Sequence, residues 1–161
     1  MIELLTRRLR IEPLRVAHAE IVFEPLQDTA IYAWIPDEPP TQEGLSARYA
    51  FLEGGESPDG AEHWLNWIVF LRDSTTPVGT LQATIPKEGD GSFAYIIFPP
   101  YWRNGYGREM SERLLTHAFE VYGPPNMFAE IDTRNTESIR LVEAMGLVRT
   151  RHTRDAAQLR G

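Results

Sequence analysis

Cysteine is absent from the 161 residues. Its absence excludes a disulfide framework, a thiolate metal site and a cysteine nucleophile, and it fits a reducing cytoplasm. Long apolar runs are missing too. No window approaches the eighteen or so apolar residues of a membrane span, and the opening "MIELLTRRLRIEPLR" lacks the continuous apolar core of a signal peptide. The four histidines show no metal-ligand spacing, so no metal is expected. Positive charge is in short supply: 16 Lys and Arg stand against 23 Asp and Glu, for a net charge of −7. Such a chain repels phosphate backbones, which argues against nucleic acid as a partner. It attracts a cationic small molecule or a basic peptide.

What is present reads as one domain over residues 1–161, with no repeat and no low-complexity tract. "LRIEPLR" alternates and breaks at Pro13, as a first strand does. "VAHAEIVFEPLQD" and "TQEGLSARYAFLEGG" read as helices, separated by a proline-rich "IPDEPP" that cannot be helical. Three strands follow, "HWLNWIVFLRD", "VGTLQATIP" and "SFAYIIF", joined by short turns that include Asp90-Gly91. After Pro99-Pro100 comes a long helix with Met110, Leu114, Leu115, Ala118, Phe119 and Tyr122 on one stripe. Then come a strand, "NMFAEIDTR", a helix, "TESIRLVEAMG", closed by Gly146, and a weaker strand, "LVRTRHTRDA". The order predicts an α+β (mixed α/β) fold around a largely antiparallel sheet flanked by helices.

The mouth of the long helix carries the first chemical signal. Gly105 and Gly107 remove side chains where strand turns into helix, and unpaired backbone N–H groups gather there with the positive end of the helix dipole. That is an anion site, above all for phosphate. Arg103 and Arg108 flank it and can pair with phosphate oxygens. A Rossmann fingerprint fails, because Met110 stands where the third glycine belongs, and no Gly-Lys-Ser/Thr marks a Walker loop.

The run "IIFPPYWRNGYGREM" resembles the acyl-CoA loop of the GNAT superfamily of N-acetyltransferases, Gln/Arg-x-x-Gly-x-Gly/Ala, with Trp102 at the Gln/Arg position. "YWRNGYG" is similar to the Tyr-Trp-Gly-x-Gly-Tyr-Ala of the subgroup that acetylates ribosomal-protein N-termini. A second segment, with Asn135, Ser138, Leu141, Gly146 and Leu147, resembles the family's Asn-x-x-Ser-x-x-Leu-x-x-x-x-Gly-Phe. The resemblance implies transfer of acetyl from acetyl-CoA to a primary amine, by a monomer or homodimer. It also admits a catalytically silent module that binds acyl-CoA. It implies that Arg103, Asn104, Gly105, Tyr106, Gly107 and Arg108 hold the pyrophosphate. The strand edge at Ile96, Ile97 and Phe98 would pair with the pantetheine, where a bulge splays this strand from the next. The N–H near Ile97 would act as oxyanion donor. Asn135 would lie by the pantetheine arm and cap its helix.

Two positions that the family uses for proton transfer are changed. The strand glutamate found in several members is Ser92 here, leaving Glu88, Glu130, Asp132 and His63 as candidate bases. The tyrosine seven residues after the asparagine is Val142, so Ser138 is expected to serve the leaving thiolate. Trp64 and Trp67 beside His63, and the acidic Asp37, Glu38 and Glu43, are candidates for an acceptor pocket. Only 15 residues follow Gly146, so the family's last strand is expected to be cut off or missing, with a strand shared in a dimer as one remedy.

Overall fold

A computed structural model describes residues 1–150. Its sheet has six strands in chain order: β1 (Leu4–Leu5), β2 (Leu9–Pro13), β3 (Glu62–Leu71), β4 (Pro77–Pro86), β5 (Gly91–Ile97) and β6 (Met127–Phe128). Every neighbouring pair is antiparallel except β5 and β6, which run parallel. The helices are α1 (His18–Val22), α2 (Gln42–Leu52), α3 (Tyr106–His117) and α4 (Thr136–Ala144). This is the expected α+β fold.

Strand β3 is buried on both faces, and its alternation divides the core. Trp67 and Val69 join Leu9, Ile11, Leu81 and Phe93 against Met110, Leu114 and Val142, on the face covered by α3 and α4. Ile68 and Phe70 face the other way, with Phe98, against Ala19, Val22, Leu45 and Tyr49. Trp67 is therefore core rather than pocket wall, and the half-buried Trp64 packs edge-on against Phe51 at 5.7 Å.

Four elements depart from the sequence reading. The first helix stops at Val22 and gives way to 3-10 turns at Pro25–Gln27 and Thr29–Tyr32. Pro25 has no N–H to continue the ladder. Strand β1 is too short to show a pattern. After α3 the chain widens into a π turn, Ala118–Tyr122, with the Gly123 N–H on the Ala118 carbonyl. The wider turn rotates Phe119 out of the apolar stripe, and it is exposed. Finally, β6 pairs over two residues rather than along the whole of "NMFAEIDTR". Of the expected last strand, residues 147–150 form none, and the rest lies outside the described residues.

Candidate active site

The short pairing of β6 opens the site. Gly91 and Ser92 pair with Met127 and Phe128, and from there the two strands part. Backbone direction on β5 follows from two bonds. The Gly91 N–H reaches the Asn126 carbonyl on the β6 side, and the Phe98 N–H reaches the Val78 carbonyl on the β4 side, both at 2.9 Å. Alternation then turns the N–H and C=O of Phe93, Tyr95 and Ile97 into the opening. The Ile97 N–H thus faces the cleft, as an oxyanion donor must. Ile96 and Phe98 do not share this placement. The Ile96 carbonyl lies against Gly79 of β4, the Phe98 N–H is spent on Val78, and the Phe98 carbonyl accepts from the Tyr101 N–H. Of the expected trio, only Ile97 offers its backbone to the cleft. Its carbonyl already accepts the Trp102 indole N–H at 2.7 Å.

The helix mouth stands at the same end of β5. Gly105 has φ +79° and caps α3 in the left-handed region that glycine tolerates. Arg103 also has φ +62°, without being glycine. The Asn104 side chain folds back onto the Tyr101 and Trp102 carbonyls at 3.0 Å, which leaves its backbone N–H as its offer to a phosphate. Gly107 is needed for packing as well: a Cβ there would come 2.9 Å from Leu141 Cδ1 and 3.3 Å from the Tyr95 ring. A side chain at Gly107 would therefore disturb the seat of α3 as well as a bound anion. Arg103 pairs with Glu137 of α4 at 3.2 Å, and Arg108 with Glu112 at 2.8 Å. Both pairs are exposed, hold weakly, and can exchange for phosphate.

A third arginine was not found from sequence. Arg8, in the β1–β2 turn, lies over the Tyr106 ring at 4.5 Å and pairs with Glu109 at 2.8 Å. It comes within 3.3 Å of where a Gly105 Cβ would lie. Burial raises the Glu109 carboxyl, but the hydrogen bonds from Thr6 and Arg8 outweigh it and hold the group below the usual range. About a hundred residues separate Arg8 from α3, and no local pattern links them.

On the far wall, Asn135 caps α4, its side-chain oxygen accepting the Ser138 N–H at 3.3 Å. Val142 is buried in the core, so it lines no reaction centre. The Tyr95 hydroxyl of β5 donates to Ser138 Oγ at 3.3 Å. Burial pushes the Tyr95 phenol up, with the Ser138 contact opposing, and it stays protonated at neutral pH. Its place on the cleft-facing strand was the available signal.

The four candidate bases separate. Glu88 sits in the β4–β5 hairpin, at the opposite end of β5 from Ile97. His63 stacks on Tyr122 at 4.8 Å at the foot of the sheet, away from the opening. Asp132 is committed to Arg134, whose side-chain and backbone hydrogen bonds bring its pKa down to about 2; it is too weak a base for an ammonium proton. Glu130 lines a pocket of about 260 Å3 where β5 and β6 diverge, with Gln82, Thr84 and Ser92. Arg134 in turn lies over the Trp34 ring at 5.2 Å, joining the loop before α2 to the entrance of α4. Asp37 and Glu38 lie exposed on that loop, and Glu43 in the first turn of α2.

Among the described residues no group of acidic and histidine side chains could hold a metal ion, and no helix is long and apolar enough to cross a membrane.

Comparison with known proteins bears on this cleft. YoaA, an uncharacterized N-acetyltransferase of Bacillus subtilis (strain 168), is 30% identical over 84 residues. That match covers 51% of this chain and about half, 48%, of the relative's length. The spermidine N-acetyltransferase of Vibrio cholerae, solved with CoA and spermine, shares the fold with a TM-score of 0.81 at 18% identity, over 97% of this chain and 90% of that one. RimL, a ribosomal L7/L12 alpha-N-protein acetyltransferase solved with coenzyme A, gives 0.83 at 12% identity, over 98% and 90%. The acetyltransferase (GNAT) domain model matches residues 8–148, from the arginine at the helix mouth to just beyond α4. With both walls of the cleft inside that match, the chain belongs to the GNAT acetyltransferase family.

Proposed function

We propose that the protein moves an acetyl group from acetyl-CoA to a primary amine, a small amine or a protein N-terminus, by direct attack. The observation that carries this is the parting of β5 and β6, which leaves the Ile97 N–H turned into the opening between them. The N–H groups from Asn104 to Arg108, with Arg8, Arg103 and Arg108, fit a pyrophosphate. Acetyl-CoA supplies the activated acyl group and a thiol leaving group.

The amine must be neutral to attack, and our candidate to take its proton, directly or through water, is Glu130, which lines the opening between β5 and β6. A C–N bond forms while the C–S bond breaks. The Ile97 N–H stabilises the carbonyl oxygen as it gains charge. The Ser138 hydroxyl hydrogen-bonds the departing sulfur. The acidic side chains before and at the start of α2 favour an acceptor that arrives as a cation.

A thiol-release assay with acetyl-CoA and a panel of peptides and polyamines tests this reading. The rate on the best acceptor should rise with pH and level off near the pKa of the amine or its base. Tight binding of acetyl-CoA with turnover on no amine would make the chain an acyl-CoA-binding module instead.

A further inference from the structure

No phenol stands at Val142, but one reaches Ser138 from β5. The Tyr95 ring lies on Gly107 in the first turn of α3, close enough that a Cβ there would be 3.3 Å away. Its hydroxyl ends 3.3 Å from Ser138 Oγ. We infer that Tyr95 is a positioning residue for Ser138, donating to its oxygen so that the one serine proton is left for the departing sulfur. This rests on the acetyl-transfer reading above.

A serine hydroxyl has one proton and two lone pairs. On a helix its proton commonly goes to a carbonyl of the preceding turn, where it is lost to chemistry. Among the described residues the Ser138 hydroxyl oxygen meets the Tyr95 hydroxyl, while the Asn135 side-chain oxygen accepts the Ser138 N–H. A bond donated by Tyr95 fills one lone pair and polarises the O–H, making it a better donor. Tyr95 is not itself the acid. A phenol is a weaker acid than a thiol even before burial raises it further, so full transfer from Tyr95 to a thiolate runs uphill. The tyrosine therefore stays protonated through the cycle, and Ser138 carries the contact with sulfur.

Tyr95→Phe removes the hydroxyl and keeps the ring on Gly107. Under conditions where chemistry limits the rate, it should lower kcat about threefold to tenfold, the scale of one lost hydrogen bond. The acetyl-CoA Kd by calorimetry and the Tm should stay close to wild type. In a Ser138→Ala background the same change should have no further effect on kcat. A second readout needs no turnover. The chain has no cysteine, so the thiol of bound CoA is the only thiol in the complex. Its alkylation rate against pH reports its pKa, and both Tyr95→Phe and Ser138→Ala should raise that pKa relative to the wild-type complex. An unchanged kcat and thiol pKa in Tyr95→Phe, or an equal loss of rate with and without Ser138, overturns the inference while the acetyl-transfer reading stands. A wild-type protein that binds acetyl-CoA and acetylates no amine overturns that reading instead.

Discussion

Gly79 lies opposite Ile97 in the β4–β5 register, and no other residue type fits there. A Cβ at Gly79 would come 2.1 Å from the Ile96 carbonyl oxygen, 3.2 Å from its carbon and 3.3 Å from the Ile97 Cα. All three are backbone atoms, so no side chain can swing away. Restoring an ordinary carbon–oxygen contact of about 3.3 Å requires roughly 1 Å of separation between the strands. Gly79→Ala should therefore act as overpacking, at about 2 kcal/mol, which lowers Tm by about 4 to 8 °C in a domain of this size. The same displacement carries the Ile97 N–H with it. A 1 Å error in a catalytic donor is on the scale of about a hundredfold in rate. Thermal unfolding and kcat should be measured together, with Gly54→Ala as the control, since nothing lies within 4 Å of a Cβ there. If Gly79→Ala unfolds at the wild-type temperature and turns over at the wild-type rate, β5 does not hold Ile97 as described.

Ser138→Ala should lower kcat about tenfold to a hundredfold, or roughly 1.4 to 2.7 kcal/mol, with a much smaller change in acetyl-CoA Kd; full turnover in single-turnover mixing would leave Ser138 a helix residue only. Arg103→Gly should raise stability, because the left-handed backbone at Arg103 costs a side chain about 1 kcal/mol, while weakening CoA binding by loss of one phosphate cation; a rise in Tm with a higher Kd is the expected pair, and tighter binding would remove Arg103 from the phosphate site. Glu109 and Asp132 have depressed pKa values, so the stability they contribute is present above their ordinary values and lost as pH falls through the lowered ones. Acid unfolding should therefore set in below about pH 4, and Glu109→Gln should flatten the Tm-against-pH curve in that window; a curve of unchanged slope would show that the Thr6 and Arg8 contacts add nothing.

The reach of the sequence can be judged at particular residues. Strands β3, β4 and β5 were readable because apolar runs and turn residues sit next to one another in the chain. The glycine pair at 105 and 107 was readable because a phosphate loop is a local device, although Gly107 turned out to serve helix packing as well. The splay was legible only through family resemblance, and which strand residues point into it was not legible at all. That depends on the register set by Gly91 with Asn126 and Phe98 with Val78, bonds to other segments. Arg8, Gly79 and Tyr95 escaped for the same reason: each acts on a partner far along the chain. Asp132 was readable as a carboxylate but not as one committed to Arg134, since pairing is a property of geometry.

The two-residue parallel pairing of β6 also bears on how the molecule comes apart. Strands β1 to β5 are each bonded to a neighbour along most of their length, largely through consecutive hairpins. Segment 127–144 joins them by only two strand-paired residues, and otherwise through side-chain packing, with Val142 in the core and Ala129, Ile131 and Leu141 against it. The chain thus has a seam, and the cleft runs along it. Amides of β6 and α4 should exchange with solvent through openings smaller than global unfolding, while those of β3 and β4 wait for the whole fold to open. A ligand with its phosphates on α3 and its thiol end at α4 spans the seam as a stitch, and its binding energy is spent mainly on the part of the protein that opens first.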